Sequence, residues 1–160
     1  MNNNFINVDY HKCVGCGTCE MVCSLSHENI CSPELSRIRV FRKEKEGAHL
    51  PITCAGCEEA PCIKSCPVSA IFRSEVSGAI LIAVEKCIGC RSCVRACPFG
   101  HANYNPNSKK AFKCDLCEGE PKCVEYCWTG ALTYSTIDEA LTEKRKKIAE
   151  KTIDTNSYAK

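Results

Sequence analysis

Neither sign of charge predominates in this chain: 21 lysines and arginines stand against 19 aspartates and glutamates, for a formal net charge of +2. A basic footprint is missing, so nucleic acid is not expected as a partner. Long apolar runs are missing too, and nothing approaches the 18 or so residues of a membrane-spanning helix. The opening stretch, residues 1–9, has neither the basic region nor the apolar run of a signal peptide, and no twin-arginine pair is found near it. There is no glycine-rich phosphate loop, no H-E-x-x-H and no G-x-S-x-G. Residues for hydride, phosphoryl or acyl transfer are thus not found, and the chain is not expected to be an enzyme on its own. The 44% of apolar residues includes cysteine. Without cysteine the hydrocarbon available for a core is thin, and something else must help hold the 160 residues together.

What the chain has is cysteine, 17 in 160 residues. An extracellular disulfide framework is the usual reading of such a content. The odd count and the character of the first residues argue against it. They lead to the expectation of a cytoplasmic protein, where clustered thiols more often bind metal. A subunit without its own signal can still be exported with a partner that carries one.

Sixteen of the cysteines form an internal repeat of four quartets. Cys13, Cys16, Cys19 and Cys23 have the spacing C-x2-C-x2-C-x3-C, as do Cys87, Cys90, Cys93 and Cys97. Cys54, Cys57, Cys62 and Cys66 are looser, as are Cys114, Cys117, Cys123 and Cys127, and both loose runs carry an inserted Glu and Pro. The order tight, loose, tight, loose suggests duplication of a two-quartet unit. The tight spacing is the ligand run of bacterial two-cluster ferredoxins. Three thiolates on a curling loop reach one [4Fe–4S] cubane, and the fourth points to the neighbouring cluster. Gly15, Gly17 and Gly89 suit such loops. Pro67 and Pro98 follow the fourth cysteine as the pattern expects, whereas Ser24 and Trp128 replace it in the other two runs. Zinc is the rival metal, and a structural zinc-binding interaction module the rival function. Zinc prefers two well-separated C-x2-4-C pairs, and four crowded runs fit it poorly.

With these motifs the chain, over about residues 5–134, resembles the four-cluster ferredoxin-type electron-transfer subunits of molybdenum and tungsten oxidoreductases. That family includes the iron–sulfur subunits of dimethyl sulfoxide reductase and formate dehydrogenase. It also includes the small cytoplasmic proteins serving carbon monoxide dehydrogenase and tungsten aldehyde oxidoreductases, which this chain matches best in length. The resemblance implies four [4Fe–4S] clusters and a nested pairing of quartets. Cys13, Cys16, Cys19 and Cys127 would hold cluster 1, and Cys114, Cys117, Cys123 and Cys23 cluster 2. Cys54, Cys57, Cys62 and Cys97 would hold cluster 3, and Cys87, Cys90, Cys93 and Cys66 cluster 4. Spacing alone also allows a tandem pairing, first quartet with second and third with fourth.

The expected fold class is α+β: two pseudo-symmetric dicluster ferredoxin-like modules, with short β hairpins and helices around four cubanes, plus a C-terminal amphipathic helix. An outer module of residues 5–31 with 106–134 and an inner module of 48–105 make up a domain of 1–134, followed by a helix and tail over 135–160. Strands are predicted at 5–8, 37–41 and 79–84. Turns are predicted at Ser77-Gly78 and Asn105-Pro106-Asn107. Each fourth cysteine is expected at the end of a short helical turn. Residues 32–47 read as a solvated hairpin or surface excursion. Thr136-Ile137-Asp138-Glu139 fits a capping box, and the apolar spacing behind it predicts a helix over 136–151 that packs on its own domain or docks on a partner. Asp154 to Lys160 reads as a loose tail.

Among single residues, Cys31 is expected to be a small buried apolar group, and Trp128 to fill space beside a cluster. His11, His27, His49 and His101 are expected in ordinary hydrogen-bonding roles. Lys12, Lys86, Arg91, Arg95 and Lys113 read as surface cations near the loops, able to raise cluster potentials. The expected function is one-electron transfer through four clusters, between a catalytic oxidoreductase subunit and a second redox protein. A tungsten- or molybdenum-pterin enzyme acting on an aldehyde or similar small carbon substrate fits as the catalytic partner. A free polyferredoxin, or a partner of carbon monoxide dehydrogenase or hydrogenase, is the alternative.

Overall fold

A computed structural model describes residues 4–156. Eight short strands pair into four two-stranded antiparallel sheets, and the cysteine loops hang between them. Strand β1 (Asn4–Val8) pairs with β8 (Leu132–Thr136), with Ile6 opposite Tyr134, so the two ends of the cysteine-bearing region meet in one ribbon. β2 (Arg39–Lys43) pairs with β3 (Ala48–Ile52), β4 (Ile71–Arg73) with β5 (Ile80–Ile82), and β6 (Asn103–Asn105) with β7 (Lys110–Phe112).

Three of these strands, β1, β2 and β5, overlap the predicted stretches, β5 being shorter than 79–84 and β2 displaced; the other five fall outside them. β2 begins at Arg39 instead of Arg37. The Ser36 hydroxyl bonds both the N–H and the C=O of Ile38, and the Arg37 N–H is drawn to the Cys23 sulfur at 3.3 Å, so residues 36–38 cannot join a ladder. Nor is the following hairpin a purely solvated excursion. Ile38 is 1% exposed and Val40 8%, and both belong to the core.

Proline ends two of the short helices. α2 (Pro61–Lys64) and α3 (Ser92–Ala96) stop just before Cys66-Pro67 and Cys97-Pro98, because the residue before proline is pushed out of the helical region. α1 (Thr18–Glu28) meets Ser24 at the equivalent position and continues for another turn. Ser24 is fully buried; its hydroxyl donates toward the carbonyls of Glu20 and Met21 and accepts the N–H of Ser32. α4 (Lys122–Glu125) is again one turn, and a short 3-10 segment, Leu116–Gly119, precedes it.

α5 spans Ile137–Asn156, longer than expected; it takes in residues 154–156 of the presumed tail, and residues 157–160 lie outside the described residues. Its start is the anticipated capping box: the Thr136 N–H donates to Glu139 Oε2 at 2.9 Å, and the Glu139 N–H to Thr136 Oγ1 at 3.3 Å. Its first turns meet β8 and β1, while Ile137, Leu141, Ile148 and Ile153 stay largely exposed. Among the described residues no helix is long and apolar enough to cross a membrane.

Two apolar clusters form the interior. One gathers Ile6, Ile38, Val40, Leu116 and Leu132 around Cys19, Cys23, Cys114 and Cys123. The other gathers Ala60, Ala70, Ile71, Ile80 and Ala111 around Cys62, Cys87 and Cys93.

Candidate metal centres

In all four quartets the residue before the second cysteine adopts a left-handed conformation: Gly15 (φ 70°), Gly56 (63°), Gly89 (70°) and Leu116 (60°). Glycine takes this shape freely. At Gly89 it is also required by space, since a Cβ there would lie 2.2 Å from the Lys109 carbonyl oxygen. Leu116 carries strain in exchange for its place in the core. This shared bend is what curls each C-x2-C segment.

None of the seventeen cysteines is joined to another in a disulfide. Twelve of the sixteen quartet cysteines line three small cavities. One is bounded by Cys66, Cys87, Cys90 and Cys93. Another is bounded by Cys54, Cys57, Cys62 and Cys97. The last is bounded by Cys23, Cys114, Cys117 and Cys123. Each brings three cysteines of one quartet to the fourth cysteine of another. Cys13, Cys19 and Cys127 pack at the first core, and Cys16 is exposed beside Trp128.

The donor set suits an iron–sulfur cubane. Four thiols face each cavity and its remaining walls are largely apolar. Zinc favours two well-separated C-x2-4-C pairs around a single point, a spacing that these crowded runs do not have. Fourth cysteines also receive backbone N–H groups, as thiolate ligands require. Ala70 donates to Cys66 at 3.2 Å, His101 to Cys97 at 3.3 Å, and Arg37 to Cys23. Burial pushes the Cys19 thiol up to about 12, with the Glu20 carboxylate adding to it, and burial likewise raises Cys62, Cys93, Cys114 and Cys123. Such thiols stay protonated without a metal, so loading of these sites must release protons.

Several charged residues around the cavities carry no sequence motif. Glu20 is buried in α1; its Oε1 accepts the Val40 N–H at 2.9 Å and its Oε2 pairs with Arg42 at 2.5 Å. The Arg42 Nε–H reaches the Gly15 carbonyl at 3.0 Å, so this pair ties the β2–β3 hairpin to the first cysteine loop. Asp115 pairs with Arg37 and with His27 Nε2, while His27 Nδ1 bonds the Cys23 carbonyl at 2.8 Å. His27 therefore does take a hydrogen-bonding role, and its hydrogen bonds to Asp115 and then Cys117 push it up to about 12. Lys113 is not a surface cation: it is 4% exposed. Cys31 is exposed, not buried, and Trp128 is 73% exposed, so it does not fill interior space.

Comparison with known proteins agrees with this chemistry. Residues 45–137 match the 4Fe-4S dicluster domain, and residues 5–30 match a 4Fe-4S binding domain. The chain belongs to the 4Fe-4S dicluster ferredoxin family. It is 47% identical over 116 residues to the polyferredoxin-like subunit of aliphatic sulfonate oxidoreductase from Pyrococcus furiosus, a match spanning 72% of this chain and 66%, just under two thirds, of that subunit. It is 44% identical to YsaA of Escherichia coli, provisionally named an electron transport protein, over 86% of this chain and 92% of that one. Among solved structures, a chain of the active site complex BamBC of benzoyl coenzyme A reductase with benzoyl-CoA superposes with a TM-score of 0.50, at 28% identity and 96% coverage of both chains. The Pyrococcus furiosus and YsaA relatives bear polyferredoxin-like subunit or electron-transport names, and neither is named as a catalytic enzyme; this chain is likewise an iron–sulfur electron-transfer protein. It carries multiple [4Fe–4S] clusters.

Proposed function

We propose that the chain holds four [4Fe–4S] clusters and carries electrons singly between a catalytic oxidoreductase subunit and a second redox protein. The ligand sets are Cys13, Cys16, Cys19 and Cys127; Cys114, Cys117, Cys123 and Cys23; Cys54, Cys57, Cys62 and Cys97; and Cys87, Cys90, Cys93 and Cys66. The observation that carries this is the lining of the three cavities, each made of three cysteines from one quartet and the fourth cysteine of another. A tandem pairing would have set the second quartet's fourth cysteine, Cys66, beside the first quartet. Cys66 instead joins the third quartet around one cavity.

The clusters supply one-electron redox capacity. The chain's own residues bind them, exclude water with apolar walls and present N–H groups to the sulfurs. The outer module is 5–31 with 106–134, the inner module is 48–105, and the Ile137–Asn156 helix follows the β1–β8 ribbon of the outer module. The site of action is cytoplasmic. The catalytic partner is a tungsten- or molybdenum-pterin oxidoreductase acting on a small carbon substrate. In support, the resemblance of the motifs is to such subunits, and the relatives from Pyrococcus furiosus and the BamBC complex are themselves parts of oxidoreductases.

Anaerobic purification from the native cell tests this. The expected product is a stoichiometric complex with a larger subunit containing tungsten or molybdenum. A chain that elutes alone, as a stable brown monomer, would instead be a freely diffusing polyferredoxin. Colourless protein with zinc would be a structural module.

A further inference from the structure

Lys113 follows β7 and is buried, with its Nζ donating to the Ile80 carbonyl at 2.5 Å and the Cys114 carbonyl at 2.6 Å. Among the described residues no carboxylate pairs with it. Two carbonyls satisfy donors but do not neutralise an ammonium, and a buried cation without a counter-charge is strongly unfavourable. Lys113 forms part of the wall of the cavity bounded by Cys54, Cys57, Cys62 and Cys97. The other cavity cations differ. Arg37 is paired with Asp115, and Arg91 is exposed and lies over the Tyr104 ring at 3.9 Å. Solvent and counter-ions weaken such charges, whereas a buried one acts at full strength over short range.

We infer that Lys113 is the internal counter-ion of the cluster held by Cys54, Cys57, Cys62 and Cys97, and that its charge raises that cluster's reduction potential. This rests on the four-cluster reading above. An oxidised cubane with four thiolates carries a charge of 2−, which supplies the missing partner, and reduction adds one more negative charge that the ammonium stabilises further. The same side chain bonds the carbonyl of Cys114, a ligand of the adjoining set, so one charge sits between two centres that exchange electrons.

The test is an EPR-monitored redox titration of the anaerobically isolated four-cluster protein, compared with Lys113→Gln, Lys113→Met and Lys113→Arg. Iron and acid-labile sulfide are measured in each. With iron retained, Gln and Met are expected to shift one midpoint potential to more negative values, and Arg to leave it near wild type. A purely structural role, pinning Ile80 to the Cys114 loop, predicts no shift for Gln. A loosened, wetter cavity predicts a positive shift, since water favours the more highly charged reduced state. Either result overturns the inference. If Gln and Met lose one cluster while Arg keeps all four, the requirement for charge stands. If Arg loses it as well, the side chain is only packing and the inference fails. A wild-type protein without labile sulfide would defeat the underlying reading instead, which this design detects separately.

Discussion

Cys31 and Cys62 share a side chain but not a fate. Cys31 is exposed and outside every quartet, so Cys31→Ser should leave the iron content unchanged. Cys62 is buried in a cavity wall. Cys62→Ser should lower iron by up to a quarter, with a matching loss of sulfide and of visible absorbance. Glu20 makes a further single-residue prediction. It is 4% exposed and anchors both Val40 and Arg42, so Glu20→Ala leaves a backbone N–H and a guanidinium without their partner. We expect a loss of about 1–3 kcal/mol, set mainly by the unpaired buried Val40 N–H because Arg42 is exposed to solvent, and read as earlier thermal bleaching of the holoprotein. The 4Fe-4S character of the cysteine runs was legible because their spacing is itself the chemistry. Glu20, Asp115 and His27 were not, because their partners lie 20 or more residues away along the chain for Glu20 and 88 for His27 and Asp115, and no motif joins them. Lys113 was misread as a surface residue for a related reason: a lysine is normally solvated, and only the fold reveals one that is enclosed.

At the level of elements, the cysteine loops depend on a left-handed residue before each second cysteine. Gly89→Ala would combine an unfavourable φ with a clash against the Lys109 carbonyl. It should cost about 1–3 kcal/mol and preferentially weaken the centre bounded by Cys87, Cys90 and Cys93, visible as incomplete iron loading. The α5 cap is simpler. Thr136→Ala removes one half of a reciprocal pair and should cost about 1 kcal/mol, seen as faster amide exchange in the first turn of that helix with cluster content unaltered. The capping box and the proline stops could be read from sequence because each acts within a few residues. The register of β2 could not, since its start is set by a serine hydroxyl and a distant sulfur. The end of α5 was underestimated because charged, propensity-driven helices have no apolar stripe to mark their last turn.

For the molecule as a whole, the two apolar clusters each contain several cysteines, so the clusters are also the cores. That resolves the thin hydrocarbon content seen in the sequence. Metal loading and folding should be coupled, and chelation of iron is expected to unfold the protein rather than leave an intact apo form. Four oxidised cubanes with their thiolates would take the formal +2 to about −6, which favours partners presenting basic surfaces. A body of this length is roughly 40 Å across, so the four proposed centres would stand close enough for electrons to pass along them. The proposed nested pairing was available in the sequence only through family resemblance, because spacing left a tandem alternative open; the structure adds the β1–β8 ribbon, which brings the two ends together. Iron and acid-labile sulfide, determined on anaerobically isolated protein, test all of this most directly. About 16 of each per chain is the predicted result; protein with its thiols intact but devoid of labile sulfide would contradict it.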